Sequence, residues 1–498
     1  MDIFSNIVLG LETALSLTNL AYCFLGVLLG TLLGVIPGIG VLTAISILFP
    51  ISFHLDPTTA LILLAGIWYG TTYGGSTASI LLNLPGTPAN AVTAIDGYPM
   101  ARQGRAGVAL FMTTVASFFG GSVGIILLML FAPTIAGFAL SFRSPEYFAL
   151  MVMGLVAASM VSTGAPAKGL AMVVVGLVFG TVGMDMYTGV NRFTFGHYEL
   201  SDGISLVALA MGIFGIAEVI TSVRRVNVKE IDPATLTFKA MKPTKEEWRA
   251  SWGPMLRGSG IGSFFGTLPG TGPSVAAFIA YAFEKRIAKD PSRFGNGAIE
   301  GIMAPEASNN ASDQTAFIPT LALGIPGSAS MAIMLGALLI HGIVPGPNLM
   351  AEQPSLFWGL IMSFWIGNLL LLVLNIPLIG IWVRLLTIPY HLLFPAVLMF
   401  VCVGTYTVSN SAFDVWVVLF FGALGYVMRI FDFPAPPLLL AFVLGPMLEE
   451  NFRRTLLLSR GDLSIFVTRP ITAVILAVTL VLLVWTLVSN ARNRRKAA

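Results

Sequence analysis

Two clusters of small, uncharged polar residues stand beside Pro-Gly pairs in an otherwise apolar chain. The first runs Tyr69-Gly70-Thr71-Thr72-Tyr73-Gly74-Gly75-Ser76-Thr77-Ala78-Ser79 and leads to Asn83 and Pro85-Gly86-Thr87-Pro88. The second runs Glu306-Ala307-Ser308-Asn309-Asn310-Ala311-Ser312-Asp313-Gln314-Thr315 and leads to Pro326-Gly327-Ser328. Two further pairs lie in Pro37-Gly38-Ile39-Gly40 and Pro269-Gly270-Thr271-Gly272-Pro273-Ser274. Proline removes a backbone donor and pushes the preceding residue out of the helical region, and glycine then permits conformations other residues resist. Each pair joins one apolar segment to another without a polar turn, so the freed backbone groups must lie inside protein or against a water-filled cavity. Hydroxyls and the free N–H groups of half-helix starts favour a carboxylate anion. Candidate anion contacts are therefore Gly38, Gly40, Tyr73, Gly74, Gly75, Ser76, Thr77, Asn83, Pro85, Gly86, Thr87 and Pro88. In the second half they are Gly270, Thr271, Gly272, Ser274, Asn309, Asn310, Ser312, Thr315, Pro326, Gly327 and Ser328. Asn310 and Asp313, with unwound carbonyls nearby, offer hard oxygen ligands to a Na⁺ ion.

The alternative is that Gly, Ser and Thr line close helix contacts while Asn bonds across helices. That reading suffices for Ser79 and Ser117. Glu306 stays open between a cation ligand at a vestibule and a surface residue beside the basic stretch 285–293. His54, His197, His341 and His391 lack metal-ligand spacing. No Gly-x-x-x-x-Gly-Lys-Ser/Thr loop or Gly-x-Ser-x-Gly motif occurs. Cys23 and Cys402 sit in apolar runs. Neither enzyme chemistry nor a cofactor is expected.

The elements that must position these clusters follow from composition. Of 498 residues 56% are hydrophobic and only 10% charged, against roughly 25% charged in soluble domains. Mean hydropathy is +0.86, and apolar runs such as 123–132, 170–179, 415–424 and 471–487 extend almost end to end. These runs are continuous rather than alternating, which excludes a β-barrel. At roughly 20 residues per span, an all-α polytopic integral membrane protein with about eleven to thirteen segments is expected, re-entrant or broken helices included. The start, Met1-Asp2-Ile3-Phe4, has no basic region, so no cleaved signal peptide is expected. Net charge +3 does not suggest nucleic acid.

The halves resemble each other. Gly34-Val-Ile-Pro37-Gly38-Ile-Gly40 aligns with Gly266-Thr-Leu-Pro269-Gly270-Thr-Gly272, Leu82-Asn-Leu-Pro85-Gly86 with Leu323-Gly-Ile-Pro326-Gly327, and Ser117-Phe118 with Ser363-Phe364. Matches in one order at slowly drifting offsets predict a duplication. The expected organisation is an N-terminal segment 1–17, repeat 1 at 18–222, a basic cytoplasmic linker 223–257, repeat 2 at 258–452, and a terminal stretch 453–498. That last stretch holds an amphipathic part, a final span and a basic cytoplasmic tail. The stretch after the second break carries Arg102 and Arg105, whereas its counterpart 342–352 carries no basic residue. The stretch 284–293 is basic, whereas its counterpart around His54 and Asp56 is not. Opposite bias in equivalent loops predicts inverted topology. Against it, Arg453, Arg454, Arg460 and Arg469 fall on the wrong side if 471–487 returns the tail to the cytoplasm.

Gly34–Gly40, Tyr73–Pro88, Asp96–Arg105, Pro305–Asn310 and Leu323–Ser328 together resemble signatures of the TctA family, the large membrane subunit of tripartite tricarboxylate transporters, over nearly the whole chain. The resemblance implies a bacterial inner-membrane permease working with a small four-helix membrane subunit (TctB-like) and a periplasmic solute-binding protein (TctC-like). It also implies uptake of a di- or tricarboxylate driven by a Na⁺ or H⁺ gradient. Ser312-Asp313-Gln314-Thr315 departs from the small, glycine-containing family pattern, which leaves open a substrate or coupling ion other than those of the citrate systems. Alternating access, of elevator type if the clusters sit in paired re-entrant hairpins, is the expected mechanism. The competing expectation is a channel or membrane scaffold, and a homo-oligomer stays open.

Overall fold

A computed structural model describes residues 3–161, 165–222, 240–268, 272–386 and 390–497. Gly270, Thr271 and the linker residues 223–239 lie outside the described residues. The first half contains α1 (Ile3–Ala14), α2 (Leu17–Val35), α3 (Val41–Ser52), α4 (Pro57–Leu82) and α5 (Pro88–Met100). A π-turn, Ala101–Arg105, leads into α6 (Ala106–Ala139), followed by α7 (Ser144–Val161) and α8 (Pro166–Gly180). A two-stranded ribbon pairs Gly183–Met184 with Asn191–Arg192. After it α9 (Leu206–Ala210) continues through a π-segment, Met211–Ile216, into α10 (Ala217–Ser222). The second half contains α11 (Lys245–Gly266), α12 (Gly272–Ile287), α13 (Glu300–Thr315), α14 (Phe317–Leu323) and α15 (Ala329–Ile340). Then come α16 (Leu349–Glu352), α17 (Pro354–Asn375), α18 (Ile379–Leu385), α19 (Tyr390–Ser409), α20 (Ala412–Ile430), α21 (Ala435–Leu458), α22 (Ile465–Thr468) and α23 (Pro470–Ala497). The chain is an all-α polytopic membrane protein.

Among the described residues, four helical stretches are by themselves long and apolar enough to cross a bilayer: α2, the α5–α6 run, α17 and α20. Of the two central helices, α13 with 16 residues is too short for that criterion, and α4 is long enough but too polar. α4 has 26 residues, about 39 Å, and carries its hydroxyls inward. Its start is set by Asp56, whose carboxylate accepts the Thr59 N–H, with Pro57 in the first turn. α11 begins inside the polar stretch that divides the halves, on a capping box between Thr244 and Glu247.

Glycines set the closest helix pairs. Along α2, Gly26, Gly30 and Gly34 face Leu63, Ile67 and Thr71 of α4, and Gly70 and Gly74 answer from the other side. Both series rise together, so α2 and α4 run parallel. Likewise Gly258, Gly262 and Gly266 of α11 face Ala304, Ser308 and Ser312 of α13. A Cβ added at Gly262 would clash with the Ser308 carbonyl oxygen, well inside van der Waals contact distance, where backbone cannot yield. Gly262→Leu is therefore expected to prevent this seam from closing and cost well over the ~1–3 kcal/mol of ordinary overpacking. Monodisperse elution of that variant in detergent at wild-type yield would contradict it.

The two halves cross. α6 packs in parallel on α13, with Gly120 against Ala307 and Gly124 against Ala311, and α17 packs in parallel on α4, with Phe364 beside Tyr69 and Asn368 beside Tyr73. α4 and α13 meet as an antiparallel ladder: Ser76 with Glu306, Thr72 with Asp313, and Tyr69 with Gln314. One end of the molecule gathers the basic segments. Arg105 pairs with Glu247, and Gln103 donates to the Asn296 carbonyl at 2.9 Å. Arg257 makes a two-pronged pair with Glu284 at 2.6 and 2.9 Å. The opposite end holds Phe53 against His341 and a cavity of about 750 Å³ lined in part by Phe53, Asp185, Arg192, Ile340 and Glu449. There Arg453 pairs with Asp185 at 3.0 Å and Glu449 at 2.7 Å, and Arg469 pairs with the buried Glu146 at 2.6 Å. Two of the four arginines that argue against inverted topology thus have carboxylate partners.

Candidate functional site

Three of the four Pro-Gly elements, and Gly272 after the fourth, end or begin helices. α2 stops at Val35, Gly38 takes φ +89°, and Gly40 is the N-cap of α3. α4 stops at Asn83, whose left-handed φ of 56° caps the helix, and α5 restarts at Pro88 behind Thr87, whose hydroxyl accepts the Asn90 N–H at 3.3 Å. In the second half α14 stops at Gly324 (φ +69°), and α15 restarts behind Ser328, whose hydroxyl accepts the Met331 N–H at 3.3 Å. Gly272 opens α12 with φ +65°. The Gly-free position in this set, Asn83, takes a conformation that Asn tolerates better than most residues.

Within each half the two breaks meet. A Cβ built on Gly40 would lie 2.7 Å from the Gly86 carbonyl oxygen, and one on Gly86 3.0 Å from that of Ile39. In the second half a Cβ on Gly272 would lie 3.8 Å from that of Ser328, and one on Gly327 3.3 Å from the Gly266 carbonyl oxygen. The pairs differ in access: Asn83 and Pro88 are exposed and Pro85, Gly86 and Thr87 half-buried, whereas Pro326 and Gly327 are buried.

Successive residues of the first cluster go to different neighbours. Tyr73 donates its hydroxyl to Asn368 at 2.8 Å, and Asn368 in turn donates to the Phe118 carbonyl and to Ser122. Gly74 sits against Thr31 and Val35 of α2, and Gly75 against the Asn90 side chain. Ser76 donates to Glu306 at 2.8 Å and accepts from Asn90 at 2.9 Å. Thr77 is buried in α4. In the second cluster Asn309 and Asn310 are buried, and Asn310 donates to the Glu306 carbonyl at 3.0 Å. Ser312 and Thr315 lie on the α11 seam beside Gly266. Ser274 is half-buried in α12. Asp313 is buried, with Oδ2 3.4 Å from the Thr72 hydroxyl and Oδ1 without a hydrogen-bond partner.

Glu306, left open by sequence, sits at the centre. Its Oε1 accepts from Ser76 and Thr93 and its Oε2 from Ser117 at 2.9 Å. The residue is 1% exposed and so is not a surface residue. Ser117, read from sequence as a helix-contact residue, touches a buried carboxylate instead. Asn90 and Thr93 escaped the sequence reading, and Thr72, though part of the first cluster, was not among its candidate contacts. The available signal was spacing: Thr72 and Ser76 lie one turn apart, as do Thr87, Asn90 and Thr93. Among the described residues no group of three or more His, Cys, Asp or Glu could hold a metal ion.

A polytopic bundle whose inner helices break at paired Pro-Gly loops, beside buried hydroxyls and amides, has the construction of a transporter. The chain belongs to the tripartite tricarboxylate transporter TctA family, whose profile matches residues 20–440. It is 50% identical over 500 residues (99% of this chain, 98% of the relative) to an uncharacterized 52.8 kDa protein in the TAR-I ttuC' 3'region of Agrobacterium vitis. It is also 51% identical over 234 residues, 47% of this chain and 97% of the relative, to a protein in the TAR-II ttuC' 3'region of the same organism. No solved structure matches. The family is one of transporter subunits rather than of enzymes.

Proposed function

We propose that this chain is the permease subunit of a secondary active uptake system for a di- or tricarboxylate in a bacterial inner membrane. A periplasmic binding protein would deliver the anion and a small four-helix membrane subunit would complete the permease. The observation that carries this reading is the meeting of two helix breaks in each half, with a hydroxyl-capped half-helix start at Thr87 and another at Ser328. Beside the capped Asn90 and Met331 N–H groups, the Ala89 N–H of α5 and the Ala329 and Ser330 N–H groups of α15, each at the positive end of a helix dipole, would meet one carboxylate per break. A substrate with two or more carboxylates would engage both.

The same reading takes the two halves as inverted repeats, roughly 18–222 and 258–452. Support comes from α4 and α13, which occupy matching places before matching breaks yet cross antiparallel. Support also comes from the basic segments around Arg105 and Glu284, which gather at one end although they belong to different positions of the repeat. With that end cytoplasmic, one bundle moving against the other gives alternating access, of elevator type if the breaks travel with the substrate. Na⁺ or H⁺ would supply the driving force, with Asn310 and Asp313 as candidate Na⁺ ligands.

Uptake of labelled di- and tricarboxylates into vesicles carrying the full system, with and without Na⁺ and pH gradients, tests the class. Gradient-driven accumulation is expected, and gradient-independent flux would mean a channel. Asn310→Ala and Ser76→Ala are each expected to lower uptake about 5- to 30-fold, the loss of one or two kcal/mol of buried hydrogen bonding. Wild-type rates in correctly inserted variants would remove the site assignment.

A further inference from the structure

Glu306 is a buried titratable group for which helix packing supplies no reason. Three hydroxyls from three helices converge on it: Ser76 of α4, Thr93 of α5 and Ser117 of α6. A hydroxyl donates to an ionised carboxylate and accepts from a protonated one by rotating, so this shell accommodates both states. No lysine, arginine or histidine among the described residues makes an ion pair with it. The groups facing it that carry or could carry charge are Asp313 on its own helix and Tyr73 of α4. The elements packed around it otherwise present amides and hydroxyls, Asn90 and Thr93 from α5 and Ser117 from α6, and one turn beyond Thr93 the Asp96 carboxyl, which is held by Tyr281 of α12 and the Gly295, Gly297 and Ala298 amides. An unpaired buried charge in a membrane protein is costly and marks a functional position. Asp313 Oδ1, two turns further along the same helix, is buried without a hydrogen-bond partner.

Glu306 is also wired to a break. Thr87 donates to Asn90 Oδ1 at 2.7 Å, Asn90 donates from Nδ2 to Ser76 at 2.9 Å, and Ser76 donates to Glu306 Oε1 at 2.8 Å. Each link fixes the direction of the next, because the Asn90 amide donates on one side only while it accepts from Thr87 on the other. An anion that takes the Thr87 hydroxyl at the start of α5 removes the first link. Asn90 and Ser76 then re-orient, and the hydroxyl shell of Glu306 changes with them.

We propose that Glu306 is the proton-binding site of this permease, coupled to the anion through the Thr87–Asn90–Ser76 chain. Resting on the function proposed above, this names H⁺ as the driving ion. The carboxylate takes one proton on the periplasmic-facing side and releases it to the cytoplasmic side in each cycle, and no other group is consumed.

The test uses the full chain with its partner subunits. In wild-type vesicles an inward proton gradient is expected to raise uptake of the labelled carboxylates at least about tenfold, and in Glu306→Gln that ratio falls to about one whatever the residual rate. Infrared difference spectra of the purified chain between high and low pH supply a readout that needs no substrate. One component of the protonated-carboxyl carbonyl band, assigned to Glu306, is expected in wild type and in Asp313→Asn, and is missing from the Glu306→Gln spectrum while the bands of the other carboxyls stay. An unchanged gradient response in Glu306→Gln, a wild type driven by Na⁺ alone, or a carboxyl band indifferent to Glu306→Gln would each overturn the proposal. A wild type that accumulates none of the carboxylates under any gradient overturns the transport reading instead, and the infrared band still decides whether Glu306 binds a proton.

Discussion

Asp96→Ala is expected to unfasten the end of the molecule that carries the basic loops. The Asp96 side chain is fully buried in α5 and reaches across to the segment before α13. Its Oδ1 accepts three backbone N–H groups, from Gly295 at 2.8 Å, Gly297 at 2.9 Å and Ala298 at 2.8 Å, and its Oδ2 accepts the Tyr281 hydroxyl at 3.0 Å. Gly295 and Gly297 hold φ of +91° and +99°, which a side chain would resist, so the loop is shaped to aim its amides at one oxygen. Alanine leaves four donors without an acceptor, two of them buried (Ala298 and Tyr281) and two half-buried (Gly295 and Gly297), and at roughly 1–3 kcal/mol for each buried one the loss is about 2–6 kcal/mol. Asp96→Asn keeps an oxygen for the three amides and turns an amide group to a hydroxyl that accepts, and is expected to lose about half as much. Thermal unfolding in detergent, with yield after size exclusion, separates them. An Asp96→Ala protein melting within about 2 °C of wild type would remove the clamp, since 1 kcal/mol alone moves a large domain about that far.

This clamp was invisible in the sequence, and the reason is instructive. Pro37-Gly38, Pro85-Gly86 and Pro326-Gly327 are legible as helix breaks because proline and glycine act locally, on their own backbone. Thr87 and Ser328 are legible as caps for the same reason, and the apolar runs reveal the bilayer. Glu306 and Asp96 depend instead on which residues of distant helices arrive beside them. Ser76, Thr93 and Ser117 lie up to 41 residues apart along the chain, yet all three bond one carboxylate from the other half. Tyr73 to Ser76 shows the converse limit. Written consecutively they read as one polar site, but each helical residue turns about 100° from the last. Tyr73 faces Asn368, Gly74 faces α2, and Ser76 faces Glu306. Composition names the residues that matter to a buried polar centre, and only interhelical register assigns them to it.

Thr87→Val is expected to weaken the apparent affinity for the carboxylate about 10- to 100-fold while leaving the protein folded. Two terms must be kept apart. The hydroxyl caps α5 through the Asn90 N–H, and losing such a cap costs about 1 kcal/mol of stability. As a donor to the substrate carboxylate the same hydroxyl is worth about 1.5–3 kcal/mol, because bonds to charged groups are the stronger ones. That second term appears in KM and not in Tm. Ser328→Ala removes the equivalent cap of α15 through the Met331 N–H and supplies the comparison from the other half. If each break holds one carboxylate of one substrate, the two variants combine multiplicatively and both weaken dicarboxylates. If only the more accessible first break binds the anion, Ser328→Ala lowers Tm alone. Thr87→Ser keeps hydroxyl and cap and is expected within about twofold of wild type, less than 0.5 kcal/mol by the usual conversion. An unchanged KM in Thr87→Val, with a Tm loss of cap size, would reduce Thr87 to a helix start and move the anion site away from this break.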